Sequence, residues 1–174
     1  MLSTSRNISL IGFMGTGKSS IGKALGRKTG RLVVDIDLWI EAAQNRKIHE
    51  IFEKEGEIRF REFEKQAIRQ VALSQSGIVI TTGGGAVLDP ENLEVLKRTG
   101  WVVALSASPE TIYERVKDSR HRPLLKGLDM YSEIRKLLEA RKPFYAMADH
   151  QFISDGLSPD QVAQAILELL ERQS

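Results

Sequence analysis

The stretch IGFMGTGKSSIGKAL, residues 11–25, constrains the fold more than any other part of this 174-residue chain. Gly12, Gly17, Lys18 and Ser19 satisfy G-x-x-x-x-G-K-[ST], between the apolar run NISLI (7–11) and the helical pattern KSSIGKALGRK. Glycine costs backbone entropy on folding, so a cluster of it marks a strained turn or the close approach of a ligand. In this pattern the glycines let successive N–H groups turn inward around phosphate oxygens, at a helix N-terminus whose dipole favours anions. Lys18 then supplies charge for β- and γ-phosphates, and the Ser19 hydroxyl suits Mg²⁺. The expected cradle is Gly15, Thr16, Gly17, Lys18, Ser19 and Ser20. The plainer alternative is a glycine-rich strand–helix turn with a surface lysine.

Such a loop needs a strand before it and a helix after it, and the remaining sequence repeats that alternation. LVVDI (32–36), GIVITT (77–82), WVVALS (101–106) and HQFIS (150–154) are short apolar runs flanked by helical segments. Runs apolar on both faces belong to a parallel sheet covered by crossover helices, so a three-layer α/β/α sandwich is expected. Asp89-Pro90-Glu91, Ser108-Pro109-Glu110 and Ser158-Pro159-Asp160-Gln161 each place a capping side chain before a proline at a helix start. Gln161 completes a capping box, and Val162, Ala165, Ile166, Leu169 and Leu170 then share one face of a helix over 159–172.

Two segments interrupt the alternation. Residues 37–75 are too long and too charged for one crossover and read as an inserted helical region broken at Gly56. Residues 117–128, KDSRHRPLLKGL, read as a mobile basic loop. The length suits one domain, 1–174, and the 41% hydrophobic and 28% charged content is that of a globular chain. A formal charge of +2 argues against a nucleic-acid footprint. The absence of cysteine rules out disulfides and thiolate chemistry and fits a cytoplasmic, reducing setting. Ile8–Met14 is too short to span a bilayer and lacks the flanks of a signal peptide, so no membrane association is expected. His49, His121 and His150 lack metal-ligand spacing and read as ordinary surface or lightly packed residues.

The cradle alone specifies only a nucleoside triphosphate. No N-K-x-D motif or second lobe points to a switch or a motor, which leaves a compact small-molecule kinase. Asp35-Ile36-Asp37 ends the second strand, where alternation is expected to throw both carboxylates to one side, at the ligand crevice of such sheets. One acid could act on a metal's water shell and the other on an acceptor hydroxyl; the alternative is that Asp37 caps the following helix. TTGGGAV (81–87) puts three glycines at a strand end, read as bare backbone approached by a ligand, with a plain turn as the alternative.

Taken together, G-x-M-G-x-G-K-S at 12–19, D-x-D at 35–37, F-R-x-x-E at 60–64, T-G-G-G at 82–85, R-P-L-L at 122–125 and R-x-P-x-Y at 141–145 resemble the shikimate kinases. The resemblance implies a nucleoside-monophosphate-kinase-like fold, a five-stranded parallel sheet of order 2-3-1-4-5, and transfer of the ATP γ-phosphoryl group to the 3-hydroxyl of shikimate. It implies Mg²⁺ with ATP, action as a monomer, and Lys18, Asp37 and Arg122 as catalytic residues. Asp37 would hold the acceptor hydroxyls, with Asp35 near the Mg²⁺ water shell beside Ser19. Arg61, Arg141 and the backbone at Gly83, Gly84 and Gly85 would bind the acid, Phe52 and Phe60 would wall its ring, and Glu64 would orient its neighbours.

Arg122 would belong to a lid over the transferring phosphoryl group, and Arg115 would lie near the adenine. Guanidinium forks suit a small anionic acid, since they pair bidentately with carboxylate; on their own the two arginines would read as solvated helix-face charges. A gluconate kinase would share the cradle and lid without needing the other motifs, and a binding module without turnover would be expected to have lost at least one of Lys18, Ser19, Asp37 and Arg122.

Overall fold

The computed structural model describes residues 5–118 and 129–173. Five strands, β1 (Asn7–Gly12), β2 (Val33–Asp35), β3 (Val79–Thr81), β4 (Gly100–Ser106) and β5 (His150–Ile153), form one parallel sheet in the order β2-β3-β1-β4-β5. The expected order and all five strand positions are met. Central β1 is buried along its whole length, pairing Ile8 with Val79 on one side and Trp101 on the other.

Strand alternation explains why its sequence is apolar throughout. Ile8 and Leu10 point to one face, where Ile21, Leu25, Val162, Ile166 and Leu170 of helices α1 (Lys18–Thr29) and α7 (Pro159–Glu171) cover them. Ile11 points to the other, into a larger cluster with Phe13 and residues of α2 (Ile36–Gln44), α3 (Ile48–Ser74), α4 (Pro90–Thr99), α5 (Pro109–Val116) and α6 (Met130–Tyr145). Both faces are thereby dry, as a parallel sheet requires.

The helix starts follow their local chemistry. Asp89 accepts from Glu91 N at 2.9 Å and Ser108 from Thr111 N at 3.2 Å. Ser158 and Gln161 exchange both bonds of the capping box, at 2.8 and 3.2 Å. The inserted region is α2 followed by α3, and α3 is broken at Gly56, whose φ of 82° and ψ of 174° belong to no helix. Residues 119–128 of the expected lid, Arg122 among them, lie outside the described residues. No described helix is long and apolar enough to cross a membrane.

Candidate active site

The carboxyl ends of β1, β2 and β3 each contribute one part of a cleft. From β1 comes the glycine loop, in which Gly15 and Gly17 adopt φ of 76° and 93°, values side-chain-bearing residues rarely tolerate. Gly17 is the N-cap of α1, so the loop delivers the helix N-terminus to the cleft. Buried Thr16 ties the loop by donating to Phe13 O at 2.7 Å. Lys18 Nζ donates to Gly12 O at 2.8 Å and Phe13 O at 2.9 Å, holding the ammonium over the same turn.

From β2 comes Asp35, and here the strand-alternation reading needs correction. The strand ends at Asp35 and α2 begins at Ile36, so Asp35 and Asp37 are not successive strand positions. Asp35 itself is the cap: its Oδ1 accepts from Asp37 N at 3.1 Å and Leu38 N at 3.2 Å. Its Oδ2 accepts from Ser19 Oγ at 3.0 Å and Thr81 Oγ1 at 2.8 Å. Asp37 sits in the first turn of the helix, and its Oδ1 is buried without a hydrogen-bond partner. Burial, reinforced by the charge of Asp35 and opposed by Lys18 and Arg61, pushes its carboxyl up to about 6.

From β3 comes the glycine run, and the groups found against it are the chain's own. A side chain at Gly83 would stand 2.6 Å from Glu64 Oε1 and 3.1 Å from Asp37 Oδ1, and one at Gly85 would overlap the Arg61 guanidinium. The bare backbone thus admits two carboxylates and a guanidinium into one small volume. Glu64 is wholly buried, with Oε1 unpartnered, and burial raises it to about 6 against the pull of Arg61. Arg61 donates from Nη1 to Glu64 Oε2 at 2.6 Å and keeps 24% of its side chain exposed.

Arg141, on α6, is only 6% exposed, and its guanidinium lies 5.6 Å from the Phe13 ring centre. Neither arginine is therefore a solvated helix-face charge. Tyr145, one turn on, donates to Gly84 O at 2.6 Å, and burial holds its hydroxyl protonated, up to about 12. The Phe52 and Phe60 rings stand 4.8 Å apart.

These groups line a cavity of about 830 Å³ that takes in Asp37, Phe52, Phe60, Arg61, Glu64, Gly83–Gly85 and Arg141. Asp37 is shared with a second cavity of about 250 Å³ bounded by Gly15, Gly17, Lys18, Ser19 and Ser20. A third, also about 250 Å³, lies against Thr16, Gly17, Ser20, Arg115, Ser154, Leu157 and Pro159. Arg115 spans from the loop to this hollow, donating to Gly15 O at 2.9 Å and Ser154 Oγ at 3.3 Å. Sequence reasoning missed Trp39, Ile48 and His49 in the wall of the large cavity, since apolar or isolated residues carry no motif, and gave Met14 no role although it lies within the loop pattern. It also missed Glu57, whose four-residue spacing from Arg61 was a readable signal.

Comparison with known proteins gives one consistent result. The family model described as shikimate kinase matches residues 14–171. A shikimate kinase of Thermodesulfovibrio yellowstonii is 44% identical over 169 residues, covering 97% of each chain. Among solved structures, a shikimate kinase from Acinetobacter baumannii in complex with shikimate superposes with a TM-score of 0.94 at 35% identity, covering 98% of this chain and 96% of its own. A gluconokinase from Sinorhizobium meliloti, at 15% identity and a TM-score of 0.61 over 98% of this chain and 94% of its own, shares the fold alone.

Proposed function

The chain belongs to the shikimate kinase family, and on that premise we propose how its residues divide the transfer of the ATP γ-phosphoryl group to the 3-hydroxyl of shikimate. The observation that carries the assignment is convergence. Arg61 from α3 and Arg141 from α6 enter one cavity with Asp37, and Asp37 also borders the phosphate cradle.

Arg61 and Arg141 pair with the carboxylate of the acid, beside the backbone of Gly83–Gly85, and Phe52 and Phe60 wall its ring. Bidentate guanidinium pairing is directional, so it fixes which hydroxyl faces Asp37. Asp37 holds that hydroxyl and takes its proton as the oxygen bonds to the γ-phosphorus and the bond to the β–γ bridging oxygen breaks. A carboxyl raised to about 6 is a stronger base than an ordinary one yet largely ionised at neutral pH. Lys18 and the loop N–H groups hold the phosphate oxygens. Arg115 borders the hollow that suits the base, and Arg122, by the family pattern, neutralises charge on the transferring group.

The residues present fit Mg²⁺. Ser19 and Asp35 are oxygen donors already linked at 3.0 Å, and the described residues hold no cluster of three or more His, Cys, Asp or Glu that could hold a metal ion. That suits a hard cation held largely by nucleotide phosphates and water. Ser19 would ligate it and Asp35 would hold its water. When bound, the ion would supply positive charge that offsets the phosphate charge of the nucleotide during transfer. We propose that the chain acts as a monomer and as a single domain, in a cytoplasmic setting that its lack of cysteine fits.

An acceptor panel tests the assignment. Mg·ATP with shikimate is expected to give ADP and shikimate 3-phosphate, while gluconate gives no ADP above background; gluconate turnover matching that of shikimate would contradict it.

A further inference from the structure

Arg61 is gripped by two carboxylates of its own helix. Glu64, three residues on, accepts from Nη1 at 2.6 Å. Glu57, four residues before, accepts from Nε at 3.3 Å and from Nη2 at 3.0 Å. The two acids stand differently: Glu64 is buried and lines the cavity, whereas Glu57 has 46% of its side chain exposed and does not. Of the guanidinium's five N–H groups, three are thus committed, leaving one on each of Nη1 and Nη2. Burial works against the charge of Arg61, and the two glutamates outweigh it.

As a stability device a half-exposed pair of this spacing is worth little. Its geometry is more telling. The helix is interrupted at Gly56, immediately before Glu57, in a conformation open to glycine. No atom stands within 4 Å of where a Gly56 side chain would begin, so packing does not demand glycine there; the backbone turn does. The break restarts the helix at Glu57, where the dipole favours an acid and where a glutamate four residues before an arginine pairs best.

We propose that Glu57 is a positioning residue for the acceptor acid: from outside the cavity it holds the Arg61 guanidinium so that its remaining N–H groups face the acid's carboxylate. The inference rests on the reading of Arg61 as a carboxylate ligand. Without Glu57 the guanidinium must be ordered at the moment of binding, which costs affinity rather than chemistry.

Steady-state kinetics of Glu57→Gln, Glu57→Ala, Arg61→Ala and the Glu57→Gln/Arg61→Ala double variant test it. Each Glu57 substitution is expected to raise KM for shikimate about three- to tenfold, with kcat and KM for ATP within about twofold of the parent. On the Arg61→Ala background, Glu57→Gln should change KM for shikimate by less than about 1.5-fold. An unchanged or lower KM in both single Glu57 variants, or the same factor in both backgrounds, would overturn the role of Glu57. An Arg61→Ala variant with unchanged KM for shikimate would overturn instead the reading beneath it.

Discussion

Asp37 and Glu64 are the two carboxyls of the cavity raised to about 6, chiefly by burial, and the expected pH dependence rests on them. The proposed role of Asp37 requires it to be ionised to accept a proton, so kcat/KM for shikimate should fall on the acid side with a midpoint near 6. Glu64→Gln removes a neighbouring negative charge and should move that limb to lower pH; a limb that stays in place would mean that Glu64 does not tune Asp37. Stability runs the opposite way. A carboxyl whose folded value lies above its unfolded one binds more protons when folded, so its contribution falls as pH rises from about 4 to about 6. Asp37→Asn should therefore melt higher than the parent at pH 7, by a few degrees, and the gap should narrow by about half at pH 5 and close near pH 4. The same variant should lose kcat by about 100-fold or more with KM for shikimate little changed, whereas Arg141→Lys should raise that KM about tenfold with kcat nearly intact. The identities of these residues were legible because motif chemistry names them. The placement of Asp35 and Asp37 was not: whether alternation or helical geometry governs them depends on where the strand stops, and Asp35 stops it by capping α2.

At the level of elements, sequence reasoning succeeded where a local signal decides the outcome. Proline after a capping side chain marked three helix starts, and Gly56 marked the break in α3. It gave no account of what that break accomplishes, since the consequence appears only when Glu57, Arg61 and Gly85 are seen in space. Gly56→Ala offers a test. With φ at 82° and ψ at 174°, alanine should cost about 1–3 kcal/mol, lowering Tm by about 3–8 °C, and should raise KM for shikimate if the helix restarts in a different register. Unchanged melting and unchanged KM together would show that the break is incidental. The glycine run after β3 illustrates the complementary lesson. Its bare backbone was read as the approach of a ligand, and the groups that stand against it in the structure are Glu64, Asp37 and Arg61.

For the molecule as a whole, the sheet order was accessible through the family resemblance, and the layers through the apolar runs. Parallel strands covered on both faces put β1, β2 and β3 side by side with their carboxyl ends on one edge, so cradle, acids and glycine run meet without further design. The meeting of Arg61 and Arg141, 80 residues apart in sequence, could be expected only from the family pattern, because no periodicity links α3 to α6. That meeting is the central claim, and comparing shikimate with its neutral carboxamide tests it most directly. The parent enzyme should prefer shikimate by about 100-fold or more in kcat/KM, and the preference should collapse to less than about tenfold when Arg61 and Arg141 are both replaced by alanine. Equal use of the carboxamide by the parent, or a preference that survives loss of both arginines, would contradict the account.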